Sequence, residues 1–263
     1  MADQIRLRNL RIEAAGRLLV DDVALTCTAG ELLAVVGASG SGKTLTCRAL
    51  LGLVDLQPGV VQADLTIMAD QVRHRPYQYA IGVGRTARDR SFRSVRGDVV
   101  GYLPQQAGAA LDPLERVGPQ VARAAQLGGN DPDPTEWLGQ AGFSESDRQS
   151  VVDRFPHELS GGMAQRVAIA QLLARGSRFV VADEPMTGLD APVQQRLARR
   201  FRGLAERGLG VIIVTHDLSL VHAIADRVLL VDRGRIAEVW SRTQIEARTA
   251  STAAGLRLLR AMP

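Results

Sequence analysis

The segment Gly37-Ala38-Ser39-Gly40-Ser41-Gly42-Lys43-Thr44 leaves this chain few folds to adopt. It reads glycine, four residues, then Gly-Lys-Thr, and it follows the continuous apolar run Leu32-Leu33-Ala34-Val35-Val36. Such a run predicts a strand buried on both faces of a parallel sheet. Residues 43–51 read as the helix that this strand feeds. Glycines allow the backbone to close into a nest with its N–H groups pointing inward. The helix N-terminus adds partial positive charge for phosphate groups. Lys43 supplies a full charge toward β and γ phosphates, and Thr44 offers a hydroxyl to Mg2+.

Two more buried strands are expected at residues 179–182 and 211–214, ending in Asp183-Glu184 and Thr215-His216-Asp217. Open α/β sheets bind ligands at the carboxyl ends of their strands, so glycines, carboxylates and a histidine converge on one edge. Asp183 suits a Mg2+ ion, directly or through water. Glu184 suits a base that orients or deprotonates an attacking water, and His216 a donor to a γ-phosphate. Residues 5–12 alternate as a half-buried strand does, with a second strand at 20–27. Helices are expected at 117–127, 135–141 and 160–174, broken at Gly128-Gly129-Asn130-Asp131-Pro132 and at Phe155-Pro156. The fold class is α/β with an inserted helical block.

No apolar run in the 263 residues approaches bilayer-spanning length. The start Met1-Ala2-Asp3-Gln4 is not that of a signal peptide, so a membrane link is expected to pass through a partner. Cys27 and Cys47 lack ligand-like spacing and are expected as reduced, packed thiols. A net charge of +4 decides between neither nucleic acid nor an anionic membrane. Residues 73–96 carry Arg73, Arg75, Arg85, Arg88, Arg90, Arg93 and Arg96. They read first as a long solvated loop and second as a contact surface for an acidic partner.

From the first strand to about Trp240 the chain resembles the ABC (ATP-binding cassette) ATPases. Leu159-Ser160-Gly161-Gly162-Met163 is similar to their signature, Gln105 after Tyr102-Leu103-Pro104 to the Q-loop, and Gly188-Leu189-Asp190 to the D-loop. His216 is similar to their switch histidine. The resemblance implies a P-loop NTPase, RecA-like core with an antiparallel β-subdomain and an inserted helical subdomain. Residues 1–105 and 176–240 would form the catalytic core, 106–175 the helical subdomain, and 241–263 a short C-terminal helical tail. It implies ATP and Mg2+, with the metal near Thr44, Gln105 and Asp183, and catalysis by Lys43, Gln105, Glu184 and His216. Ser160, Gly161, Gly162 and Asp190 would serve the ATP held by a partner. A helix opened by Ser160 and two glycine amides makes that physically sensible, as a second anion-binding terminus.

A narrower resemblance is to the peptide/nickel importer ATPases. It rests on Ala109-Ala110-Leu111-Asp112-Pro113, on Phe155-Pro156-His157-Glu158 and on the run from Asp183 to Asp190. It rests also on Leu45-Thr46-Cys47, which looks like the nickel-importer member, and on the ending at 256–263. The implied partners are a second ABC ATPase subunit (the same chain or a paralogue), two transmembrane permease subunits and, indirectly, an extracytoplasmic substrate-binding protein. The implied place is the peripheral, cytoplasmic face of the cell membrane, with no nucleic acid. The cysteine-bearing extension of longer relatives is missing, so no iron–sulfur cluster is expected.

One departure stands out. Ala14-Ala15 occupy the region where the family places an adenine-stacking aromatic, which predicts weak, base-tolerant nucleotide binding. The alternative is a nucleic-acid-linked ABC ATPase, supported only by the arginine-rich stretch. A small-molecule kinase leaves the signature unexplained.

Overall fold

The computed structural model describes residues 2–260, without the side chains of residues 259 and 260. Of the tail motif, 261–263 therefore lie outside the described residues, as does Met1. The chain opens with the hairpin β1 (Gln4–Ala14) and β2 (Arg17–Thr28), then β3 (Leu32–Val36), α1 (Lys43–Ala49), β4 (Pro58–Ala69) and β5 (Val72–His74). Next come α2 (Arg85–Phe92), β6 (Val100–Leu103), and the helices α3 (Val117–Leu127), α4 (Pro134–Gln140), α5 (Glu145–Val152) and α6 (Gly161–Arg175). The remainder is β7 (Phe179–Asp183), α7 (Ala191–Glu206), β8 (Gly210–Val214), α8 (Leu218–Ile224), β9 (Arg227–Asp232), β10 (Arg235–Ser241), α9 (Arg242–Glu246) and α10 (Ala253–Arg260).

Two sheets result. One is antiparallel, in the order β2-β1-β4-β5; the other runs β10-β9-β3-β8-β7-β6, parallel except for its edge strand β10. Every residue of β3, β7 and β8 is buried, which explains their unbroken apolar sequences. Along β3, Leu32, Ala34 and Val36 face a core shared with α6, α7 and α8. Leu33 and Val35 face a second core shared with α1 and the antiparallel sheet. Sandwiching the sheet in this way fixes its carboxyl edge as the rim from which the phosphate loop, Glu184 and His216 emerge. Cys27 and Cys47 are free and buried, and burial pushes both thiols well above their ordinary pKa.

The arginine-rich stretch corrects the expectation of a solvated loop. It contains β5, a 3-10 turn at Pro76–Tyr79 and α2. Phe92 and Val95 are fully buried, and Phe92 meets Tyr77 edge-on at 5.1 Å. Arg96 turns inward, donating to Leu51 O at 2.7 Å and Gly52 O at 3.1 Å. Arg85 and Arg88 lie within 3.8 Å of Asp55, whereas Arg73, Arg90 and Arg93 remain exposed.

Candidate nucleotide site and family membership

The phosphate loop leaves β3 and opens α1 without a side-chain cap. Gly37 has φ +150°, and a Cβ there would stand 2.1 Å from Val231 O, so only glycine fits where the loop passes β9. Gly40 and Gly42 also take positive φ, at 75° and 105°. Lys43 folds back along the loop, Nζ donating to Gly37 O and Ala38 O at 2.8 Å each. Burial lowers its pKa, opposed by the nearby Glu184 and Asp183 carboxylates. Ser41 Oγ is buried without a partner inside the loop, and Ala38 and Ser39 complete the loop beside it.

Thr44 Oγ1 donates to Asp183 Oδ1 at 3.1 Å. Asp183 is fully buried at the end of β7, and its Oδ2 has no hydrogen-bond partner. Burial raises its pKa despite the Thr44 bond and nearby Arg48. An orphaned carboxylate oxygen beside a hydroxyl fits a hard divalent cation. Mg2+ is commonly held by one or two protein oxygens, the rest coming from phosphates and water. No group of three or more His, Cys, Asp or Glu side chains suited to a metal occurs among the described residues.

Glu184 follows in the left-handed region at φ 53°, a strain of about 1–3 kcal/mol. Its amide donates to Val214 O at 2.9 Å, tying the turn to β8. His216, two residues beyond β8, sets Nδ1 2.9 Å from Glu184 Oε1 and 2.7 Å from Oε2. Thr187 Oγ1 donates to Glu184 Oε2 at 3.0 Å. Thr187 is a positioning contact that sequence spacing did not single out; its place within the run from Asp183 to Asp190 was the available signal.

Gln105 follows β6 and is exposed, and no hydrogen bond joins it to Thr44 or Asp183 among the described residues. Ser160 N-caps α6, its Oγ accepting from Met163 N at 3.3 Å. Gly161 faces open space, and a Cβ on Gly162 would meet Gly188 O at 3.4 Å. Asp190 N-caps α7 through Val193 N at 2.9 Å. α6 packs on α3, α4 and β6, whereas α1 packs on β2, β7 and β8, so the two glycine-opened helices belong to different layers. Gln165 ties α6 to the turn after β7. From α6 its Nε2 donates to Pro185 O at 3.1 Å, next to Glu184.

Residues 20–187 match the protein family described as ABC transporter. The chain belongs to the ABC transporter family. The membership bears out the ABC ATPase resemblance read from the sequence. The glutathione import ATP-binding protein GsiA of Escherichia coli O6:H1 is 34% identical over 254 residues, 92% of this chain and 40% of its own length. GsiA of Escherichia coli K12 is 34% identical over 233 residues, covering 86% of this chain and 36% of that protein. The chain thus spans about two fifths of the length of these curated relatives. The dimeric bacterial ABC transporter cassette MJ0796 shares the fold with TM-score 0.71 at 23% identity, over 90% of this chain and 98% of that one. A bacterial Atm1-family ABC exporter with ATP bound also reaches 0.71, at 21% identity over 99% of this chain and 42% of that one.

Proposed function

We propose that this chain is the ATP-binding and ATP-hydrolysing subunit of an ABC importer. The observation that carries the reading is the meeting of Lys43, Thr44, Asp183, Glu184 and His216 on one sheet edge, with Ser160, Gly161 and Gly162 opening a separate helix. The loop amides and Lys43 hold the phosphates of ATP. Thr44 and Asp183 would hold Mg2+, with Gln105 closing toward it, and the metal would supply charge neutralisation to the phosphates. Glu184 accepts the proton of the attacking water, and His216 holds that carboxylate's orientation and donates to the γ-phosphate. Ser160, Gly161, Gly162 and Asp190 close over the ATP of a second ATPase subunit. Residues 1–105 and 176–240 form the catalytic core, 106–175 the helical subdomain and 241–263 the tail.

Separate permease subunits are the proposed membrane partners; no helix is long and apolar enough to cross a membrane among the described residues. A cavity of about 400 Å³ beside Gln105, lined by Tyr102, Pro104, Asp112, Gln120 and Arg123, offers those subunits a docking place on the cytoplasmic face. The glutathione importers among the relatives favour a peptide-like cargo, with nickel as the neighbouring class. They give no support to the nucleic-acid alternative. Phosphate release tests the reading: it is stimulated by co-purified permeases, not by DNA or RNA, and Lys43→Ala abolishes it. Turnover retained by Lys43→Ala, or stimulated only by nucleic acid, refutes it.

A further inference from the structure

The C-terminal helix α10 ends beside the phosphate loop. A cavity of about 260 Å³ lies between them, lined by Gly37 and Ala38 of the loop, His216, Asp232 of β9, and Ala254, Arg257 and Leu258 of α10. Asp232 is the only carboxylate among its described lining residues. Arg257 is exposed, and no hydrogen bond or ion pair engages its guanidinium among the described residues. Among the described residues an unpaired guanidinium thus shares a cavity with His216 and the start of the phosphate loop.

The helix that carries Arg257 is held in register. Glu238 of β10 accepts from Ser251 N at 2.5 Å, Thr252 N at 3.1 Å and Thr252 Oγ1 at 2.7 Å. Thr252 Oγ1 then accepts from Gly255 N at 3.0 Å, capping α10. A Cβ on Gly255 would stand 2.2 Å from Glu238 Oε2 and 3.0 Å from Trp240, so the helix lies flush on β10. Ala254 and Leu258 pack on the main core, which sets the face on which Arg257 stands.

We propose that Arg257 binds the terminal phosphate of the bound nucleoside triphosphate, making α10 a reader of ATP against ADP. The proposal rests on the ATPase reading above. Beside the phosphate loop, Lys43 and Arg48 stand near Asp183 and Glu184, and Asp232 lines the cavity itself. A triphosphate adds further negative charge on the His216 side, where the guanidinium fork offers paired donors. Once hydrolysis and phosphate release remove that group, Arg257 loses its partner while Lys43 still faces the β-phosphate. Glu238 is the positioning residue for the contact.

Equilibrium dissociation constants for ATP and ADP, measured with Mg2+ on the full chain, test the proposal. The variants are Arg257→Ala, Arg257→Lys, Glu238→Ala and Lys43→Ala, with thermal melting as a check of folding. Arg257→Ala should weaken ATP about tenfold and leave ADP within about twofold. Arg257→Lys should be intermediate, because it keeps the charge and loses the fork. Glu238→Ala should copy the ATP-selective loss. Lys43→Ala should weaken both nucleotides. Unchanged ATP binding in Arg257→Ala, or equal loss of ATP and ADP, overturns the role of Arg257 and leaves the phosphate-loop reading standing. Unchanged binding in Lys43→Ala overturns both.

Discussion

His216 Nδ1 sits within 2.9 Å of both carboxylate oxygens of Glu184, joining the residues that follow two adjacent strands into one unit. The histidine side chain is 71% exposed and the glutamate 14%. Glu184→Gln should slow phosphate release by about 10²–10⁴-fold. Combining it with His216→Ala should add little, since groups acting as one unit give non-additive losses. Steady-state phosphate release measures this, and losses that multiply would separate the two roles.

Gly37 and Gly161 should divide fold from function. At Gly37 a Cβ meets Val231 O at 2.1 Å with φ +150°. Gly37→Ala should therefore destabilise the chain by about 2–4 kcal/mol, read as a lowered melting temperature. At Gly161 a Cβ meets open space at the first residue of α6. Gly161→Glu should melt near wild type, because an acidic residue suits a helix N-terminus. It should nonetheless abolish turnover, because its charge opposes a partner's phosphates. Full turnover in Gly161→Glu would remove the signature from the site.

The hairpin tip at Ala15 and Gly16 carries no aromatic ring. Ala15 is exposed with φ 49° and donates to Gln57 O at 3.3 Å. ATP and GTP should bind the isolated chain within about fivefold of each other, since a stacked base is worth about 1–3 kcal/mol. Competition binding checks this; a strong preference for ATP would place an unrecognised adenine contact elsewhere.

Glu238 should make α10 sensitive to acid. Burial pushes its carboxyl upward, but hydrogen bonds from Ser251 and Thr252 outweigh this and hold it below its ordinary value. A lowered folded-state pKa stabilises the docked tail above the ordinary glutamate range, and that contribution is lost as pH falls through the lowered value. In a Trp137→Phe background, Trp240 emission should be flat near neutrality and shift at acid pH. In Glu238→Ala it should already be shifted at neutral pH.

Some of this architecture was plain in the sequence and some was not. β3, β7 and β8 are buried on both faces, so their composition alone marks them. The spacing of Gly37, Lys43, Asp183 and His216 follows from the strands that end there. β4 was missed because its twelve residues mix buried and half-exposed positions, and its pairing with β1 shifts register. α2 was hidden by its arginines: Phe92 is its one buried residue, so no apolar stripe marks a helix. The Glu184–His216 contact spans 32 residues and α10 reaches the phosphate loop through tertiary packing, neither of which local pattern encodes.

The central claim is that one copy supplies a complete phosphate site and the lid for another. Light scattering on a sizing column tests it most directly, using Glu184→Gln, in which slowed hydrolysis delays release of the dimer. The variant is run alone and with any paralogous ATPase encoded beside it, in ATP with Mg2+ and in ADP. The predicted result is a dimer in ATP, of about twice the 28.3 kDa chain mass for a homodimer, that returns to monomers in ADP. Monomers in ATP, both alone and with the paralogue, would contradict the account.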